Sequence, residues 1–272
     1  MLMKRALRDS LCVLAVLACL PAVPAFAQYT RSEPATGERY HVEGQIGLWD
    51  PTPQIAISSE SLGILGSNID FVSDLGIQKT RFPDLRLVLR PARKHKFRFS
   101  YIPIKYTAQA TLTRDVVFNG ILYRVGIPVT STLDWKAYRF GYEYDFISRN
   151  RGFAGVIAEA KYTDIQATIS SAVDTEFTHA RGPIPALGGI VRVYVVPNIS
   201  ITGEATGFKL PASVSQGYSG KYVDIDIYGT LNFTNNIGAT VGWRSLDLQY
   251  LAKTDSGDLT LRGLYFGAVA RF

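Results

Sequence analysis

Histidine is scarce in this 272-residue chain, which narrows the chemistry it can do. Three are present: His41, His95 and His179. The candidate cluster is His179 with Asp174 and Glu176 just upstream. An imidazole beside a carboxylate is a general acid–base set, but an active site also needs a convergent nucleophile or water and a group to hold developing charge. No such partner stands at a recognisable spacing, so this stretch reads as a solvated loop tip and no catalytic residue is assigned. Asp50, Glu60, Asp70 and Asp74 offer oxygen ligands of the kind divalent cations take. Their spacing matches no calcium loop, and no phosphate-cradling loop occurs, so neither a metal nor a cofactor is expected.

The two cysteines, Cys12 and Cys19, sit in a leader. Lys4, Arg5 and Arg8 precede the apolar run Leu11 to Leu20. Pro21 and Pro24 break that run, and Ala25-Phe26-Ala27 supplies a small-x-small cleavage site. Residues 1–27 therefore read as a secretory signal peptide, whose apolar core is about half the ~20 residues of a spanning helix. Val16-Leu17-Ala18-Cys19 loosely resembles a lipid-attachment box, a second reading that leaves Cys19 as a lipidation site. Cleavage after Ala27 leaves a chain without cysteine and a net charge of +4 instead of +6, hence no disulfide and no thiolate. Residues 28–38 are polar, with Pro and Gly, and read as a flexible lead-in to the domain at 39–272. The basic run from Arg90 to Lys96 is not read as a nucleic-acid site, because the chain is exported. It fits anionic phospholipid headgroups or a solvated turn that resists aberrant pairing.

Beyond the leader no amphipathic helical stripe occurs, and period-two alternation runs almost throughout. Ten segments carry it: 40–49, 81–91, 95–117, 121–147, 152–171, 185–196, 198–210, 220–234, 236–251 and 259–272. The connections alternate long and short, with long loops at 50–80 and 172–184, a tight turn at 148–151 and a hairpin signal at Asn119-Gly120. In three places the apolar face changes parity, between Tyr101 and Ile102, between Trp135 and Tyr138, and between Trp243 and Leu246. A β-bulge would do this, as would a strand leaving a membrane.

A soluble β-sandwich also alternates, so the composition of the polar face decides the class. That face holds Arg86, Arg90, Arg98, Arg139, Lys161, Arg192, Arg244 and Arg271, against Glu43, Asp84, Glu143, Asp145, Glu159, Glu204, Asp224 and Asp226. Such residues rarely share a soluble core, whereas the opposite face is continuously apolar and aromatic near segment ends. Apolar-out, polar-in alternation is the pattern of a transmembrane antiparallel up-and-down β-barrel, here with ten strands favoured over eight. Closure follows from physics, since an open edge would leave backbone groups unpaired in hydrocarbon. Equal numbers of each sign predict a paired lumen network and a narrow, weakly selective, low-conductance interior.

The ending Leu264-Tyr-Phe-Gly-Ala-Val-Ala-Arg-Phe272 resembles the C-terminal assembly signal of Gram-negative outer-membrane proteins, with a terminal Phe and apolar residues at alternate positions before it. Gly242-Trp-Arg-Ser-Leu-Asp-Leu-Gln-Tyr250 is similar to the penultimate hairpins of small OmpA-like and OmpW-like barrel domains. With the leader, the resemblance covers nearly the whole chain. It implies a cell-outer-membrane location among lipopolysaccharide and phospholipid. It also implies insertion by the barrel-assembly machinery, with Leu264, Phe266 and Phe272 as the signal read. No peptidoglycan-binding domain of the OmpA type is expected after the barrel. The role expected is structural or surface-exposed, or a narrow channel for small solutes, and not enzymatic. Two alternatives stand: adhesion or ligand binding through loops 50–80 and 172–184, and a rim hydrolase acting on lipid A or peptide. Outer-membrane deacylases and proteases resemble this architecture and place a His with Ser, Asp or Glu near the outer rim, where the segment with Asp174, Glu176 and His179 would fall.

Overall fold

Thirteen β-strands and no helix occur among the residues that the computed structural model describes, 33–58, 66–171, 175–210, 218–252 and 255–272. In chain order they are β1 (Val42–Ser58), β2 (Ile69–Asp70), β3 (Phe82–Ala92), β4 (His95–Thr111), β5 (Val116–Phe118), β6 (Ile121–Tyr123), β7 (Pro128–Arg149), β8 (Gly152–Ser170), β9 (Thr175–Val196), β10 (Ile199–Leu210), β11 (Tyr218–Asn232), β12 (Ile237–Ala252) and β13 (Asp255–Arg271). Ten of them pair in the order β1-β3-β4-β7-β8-β9-β10-β11-β12-β13, all antiparallel. β13 returns to β1, from Glu43↔Arg271 up to Ser58↔Ser256, and closes the barrel. The expected ten strands are found, not eight.

Three expectations are corrected. The long loops expected at 50–80 and 172–184 are shorter, because β1 runs on to Ser58 in pairing with β13, and β9 begins at Thr175 and pairs with β8 without a break. Pro183 and Pro185 fall inside β9. They lie above Leu187, where β9 meets no β10 residue, so their missing N–H groups cost no ladder bond on that side. Asn119-Gly120 does form a turn, with both residues at positive φ (49° and 85°). It joins the separate hairpin β5–β6 and not the barrel strands, which stop at Thr111 and resume at Pro128.

The third correction concerns the parity changes. The β4–β7 register is continuous from His95↔Tyr144 to Thr111↔Pro128, and that of β12 with β11 and β13 is continuous too. No bulge lies at Pro103, Trp135 or Trp243; the register shifts sit near the short turns. The side chains keep their alternation, and it is their chemistry that changes. On β4, Phe97 and Phe99 point out and are exposed, then Lys105, Thr107 and Gln109 follow on the same face. On the inner face Lys96, Arg98 and Ser100 give way to Ile102, Ile104 and Tyr106. The strand leaves the membrane, so water replaces lipid outside.

Aromatic side chains mark both boundaries of the apolar band. At the short-turn end His95 and Tyr142 share a hydrogen bond, with Tyr144 and Phe146 beside them. Above, Tyr101, Tyr138 and Tyr162 stand side by side on three strands, with ring centroids 4.6 and 6.4 Å apart. Spanning strands need only ~9–11 residues. β7 has 22, which at about 3.3 Å per residue and a tilt near 40° reaches about 55 Å. About half the barrel height therefore stands beyond the outer leaflet.

Candidate functional site

The alternation puts every second side chain into the lumen, and three layers fill it. At the base, the short-turn end that holds Phe272 and is periplasmic in this barrel class, residues 34–40 form a strap. The expected lead-in is thus not loose from residue 34 onward. Ala35 N–H donates to the Asn150 carbonyl (2.9 Å), Thr36 N–H to that of Pro197 (2.8 Å) and Gly37 N–H to Asn235 Oδ1 (3.1 Å). Three successive turns are thereby tied together. Gly37 sits at φ +80°, and a Cβ there would meet Arg271 Nη1 at 2.6 Å, so the position admits only glycine without displacement. Glu38 turns inward to Arg90 (3.4 Å) and Arg192 (3.9 Å), and Tyr40 lies against the guanidinium groups of Arg90 and Arg271.

Above the strap lies the charge layer. Arg271 pairs with Glu43 at 2.5 Å, and Arg192 approaches the same carboxylate at 3.8 Å. Lys96 lies between Glu143 (2.6 Å) and Asp145 (2.9 Å), over the Phe153 ring. Arg98 joins Glu143 to Glu204. Arg139 touches three acids: Glu204, Glu159 at 3.0 Å and Asp224 at 3.5 Å. Lys161 bridges Glu159 (2.9 Å) and Asp224 (3.1 Å), and Arg244 binds Asp224 at 2.8 Å. Arg86 pairs with Asp84 and Asp226, both at 2.6 Å, and Tyr265 donates to Asp226 at 2.8 Å. All sixteen charged residues read from the sequence on the polar face meet in this layer or at its border with the strap. Lys96 and Glu38 were missed: one lay in the basic run, the other in the lead-in. Alternation from Arg98 downward would have found Lys96. With both included, nine cations face nine anions. Burial this complete requires such balance, since an unpaired ion in a dry interior is very costly. A cavity among Glu43, Arg86, Arg98, Arg139 and Glu159 has a volume of 30 Å³, room for one or two waters.

The third layer, on the outer side, is apolar. Trp49, Ile104, Tyr106, Leu133, Trp135, Ile165, Leu246, Leu248, Leu259 and Leu261 pack at its centre, nearly inaccessible to water. Two outer connections fold over them. Residues 69–77 bury Ile69, Phe71, Leu75 and Ile77, and the β5–β6 hairpin buries Val116, Phe118 and Tyr123. Phe71 N–H donates to the Ile55 carbonyl at 2.9 Å, and Arg114 binds Asp74 at 2.5 Å, fastening one connection to the other. That ion pair holds the Asp74 carboxyl below the usual carboxylate range.

The remaining candidates go elsewhere. Asp50 faces outward beside Lys79 (2.9 Å) and Arg81, and Asp70 accepts the N–H groups of Val72 and Ser73 in its own turn. Glu60 and Asp174 lie outside the described residues, as do the side chains of Glu176 and His179, whose backbones pair with Ile169 and Gln166. His41 and His95 lie at the base, far from the outer rim. The basic run divides: Arg90 and Lys96 enter the lumen, while Arg93, Lys94 and His95 stay exposed. Leu264 and Phe266 face outward in the apolar band, and Phe272 bonds with the backbone of Val42 at the seam.

No family model matches the chain, and no curated protein matches it. Solved structures do resemble it. The outer-membrane protease OmpT of Escherichia coli superposes with a TM-score of 0.57 at 10% identity, over 85% of this chain and 96% of that one. The attachment invasion locus protein Ail of Yersinia pestis gives 0.36 at 11% identity, over 85% and 99%. The translocator domain of the autotransporter NalP from Neisseria meningitidis gives 0.36 at 12% identity, over 98% and 96%. At these identities the likeness is one of fold, and it names no subfamily. Closure, an apolar aromatic-bounded outer band and the likeness in fold to the Escherichia coli protease together make the chain a ten-stranded β-barrel of the outer-membrane kind.

Proposed function

We propose that the protein is a closed outer-membrane barrel that works as a surface-exposed structural platform and not as a diffusion channel. The observation that carries this is the filled lumen: strap, ion-pair layer and apolar core lie one above another. A pore needs a continuous wetted path, and the apolar layer offers water no partners. The tall outer half then has a physical role. It lifts the capped rim about 25 Å or more beyond the aromatic belt, by the same rise and tilt. There a binding partner can reach it past the lipopolysaccharide that would surround the polar outer wall. Assembly would use the barrel machinery, through Leu264, Phe266 and Phe272. Single-channel recording on the refolded protein in planar bilayers tests the reading. The expected record shows no discrete openings above the bare membrane. A stable, reproducible conductance would overturn it.

A further inference from the structure

The charge at the base of the barrel is unevenly placed. Arg93 and Lys94 occupy the β3–β4 turn, Arg149 and Arg151 flank the β7–β8 turn, and Arg39 projects from the strap; all five are exposed. The other two short turns, 197–198 and 233–236, carry no charged residue. The two basic turns are neighbours, since Arg93 donates to Ser148 Oγ and to its carbonyl, both at 3.3 Å. Between them and the strap lies a cleft of 580 Å³, with Arg39, Arg93 and Arg149 on its walls and Tyr40, His41 and Phe272 among its other lining residues. Its one acidic side chain, Glu38, is buried and turned to Arg90 and Arg192. The Phe272 carbonyl is taken up by the N–H groups of His41 (2.6 Å) and Val42 (2.9 Å). Among the described residues none of the three wall arginines is paired with a carboxylate.

We propose that this cleft binds the headgroup of an anionic phospholipid of the inner leaflet. Three guanidinium groups on one cleft match a phosphodiester: Arg39 and Arg149 offer its oxygens N–H donors in pairs, and Arg93, whose Nε and Nη2 bond Ser148, offers its remaining Nη1. The cleft is not purely polar, which argues for a lipid over a free anion. Phe272, which is exposed, supplies apolar surface, and Phe146, three residues from Arg149, is exposed in the band that faces acyl chains. Headgroup, glycerol and chain would thus meet arginine, aromatic ring and apolar wall in order. The site depends on the short turns being periplasmic, and not on whether the lumen conducts.

Purified, folded full-length protein in detergent is titrated with phosphatidylglycerol, phosphatidylethanolamine or inorganic phosphate, and retention is read by native mass spectrometry. Phosphatidylglycerol should be held at least about tenfold more tightly than phosphatidylethanolamine, and raised salt should narrow the gap. The triple variant Arg39→Gln, Arg93→Gln, Arg149→Gln should lose that preference while keeping the gel shift of a folded barrel. Retention by the folded triple variant equal to wild type would overturn the proposal. So would equal binding of the two lipids. Inorganic phosphate held as tightly as phosphatidylglycerol would make this a free-anion site and sink the lipid assignment. Should the triple variant not fold, Arg149→Gln alone, with the salt dependence of the wild type, gives the same decision.

Discussion

The lower and upper halves of the lumen are built by the same strands in unbroken register, yet they solve opposite problems. In the lower half lipid claims the outer face, and the inner face is charged and paired. In the upper half water claims the outer face, and the inner face is apolar, as in a soluble barrel. Lys96, Arg98 and Ser100 become Ile102, Ile104 and Tyr106 along one face of β4. Arg139 becomes Trp135 and Leu133 along β7. Burying apolar side chains inside the lower half as well would have made strands apolar on both faces. A chain that must cross an aqueous compartment before insertion would then carry several aggregation-prone segments. Paired charge fills that half without this hazard, at the cost of ions that depend on one another.

The dependence can be broken at one residue. Arg139 holds three acids, so Arg139→Ala should destabilise the barrel by about 3–5 kcal/mol or more, because the acids stay buried with less compensation. Replacing Arg139 and Glu204 together by methionine should cost less than the single change. Glu159 and Asp224 would keep Lys161 and Arg244, and Arg98 would keep Glu143. Urea unfolding in vesicles, followed by tryptophan fluorescence, measures both; a double variant no better than the single one would contradict the pairing account. In the upper half Trp135→Ala should cost about 3–5 kcal/mol for a different reason, a cavity in an apolar core. Benzene or xenon should recover part of that loss and none of the loss at Arg139. Recovery in both variants would mean that the two halves are not distinct.

Much of the lower half was legible in the sequence, because lipid imposes a strict rule on one face and alternation then assigns the other. Arg98, Glu143, Asp224 and Arg244 could be placed from parity alone. The upper half was harder to see. Where Tyr101 gives way to Ile102 the outer rule is relaxed, and a change of environment looks like a bulge in a one-dimensional pattern. The part of β9 before residue 185, which carries Pro183, was harder to see for a related reason. A missing donor disqualifies a residue only where a neighbouring strand needs it, and that is a fact of tertiary pairing. The strap was invisible because its bonds are made by backbone groups of Ala35, Thr36 and Gly37 to turns more than a hundred residues away. Asp174 and the side chain of His179 lie outside the described residues.

The strap belongs to the lower half and should fail more gently than the ion pairs. Gly37→Ala places a side chain at positive φ and displaces Arg271 Nη1, which binds Asn232 Oδ1 at 2.5 Å. The expected cost is about 1–2 kcal/mol, mostly backbone strain. The base should then open to protease or hydrogen exchange around residues 34–40 before the barrel melts. The lumen should stay closed, because the two layers above remain. Unchanged exchange at Ala35 and Thr36 would show that the strap does not depend on this glycine.

The smallest effect should come from the outer cap, where Arg114 fastens Asp74 across the two connections that cover the apolar layer. Water reaches this pair, so its contribution is about 0.2–1 kcal/mol and screened by salt. The Asp74 carboxyl is held below its ordinary value, by its hydrogen bond with Arg114 most of all among the groups that lower it. Stabilisation from a depressed carboxylate is fully present above the unfolded value, near pH 4, and is lost as the pH falls through the folded value. The cap should therefore loosen only below about pH 4, while the barrel beneath stays folded. Asp74→Asn should loosen it at neutral pH and abolish the acid response. Limited proteolysis of residues 66–81 between neutral and acidic pH, with an acid-tolerant protease, reads the difference. A wild-type cap whose cleavage rate does not change with pH, or an Asp74→Asn variant that responds as the wild type does, would assign the fastening to Phe71 and its apolar neighbours instead of the ion pair. The upper half would then be held by burial alone.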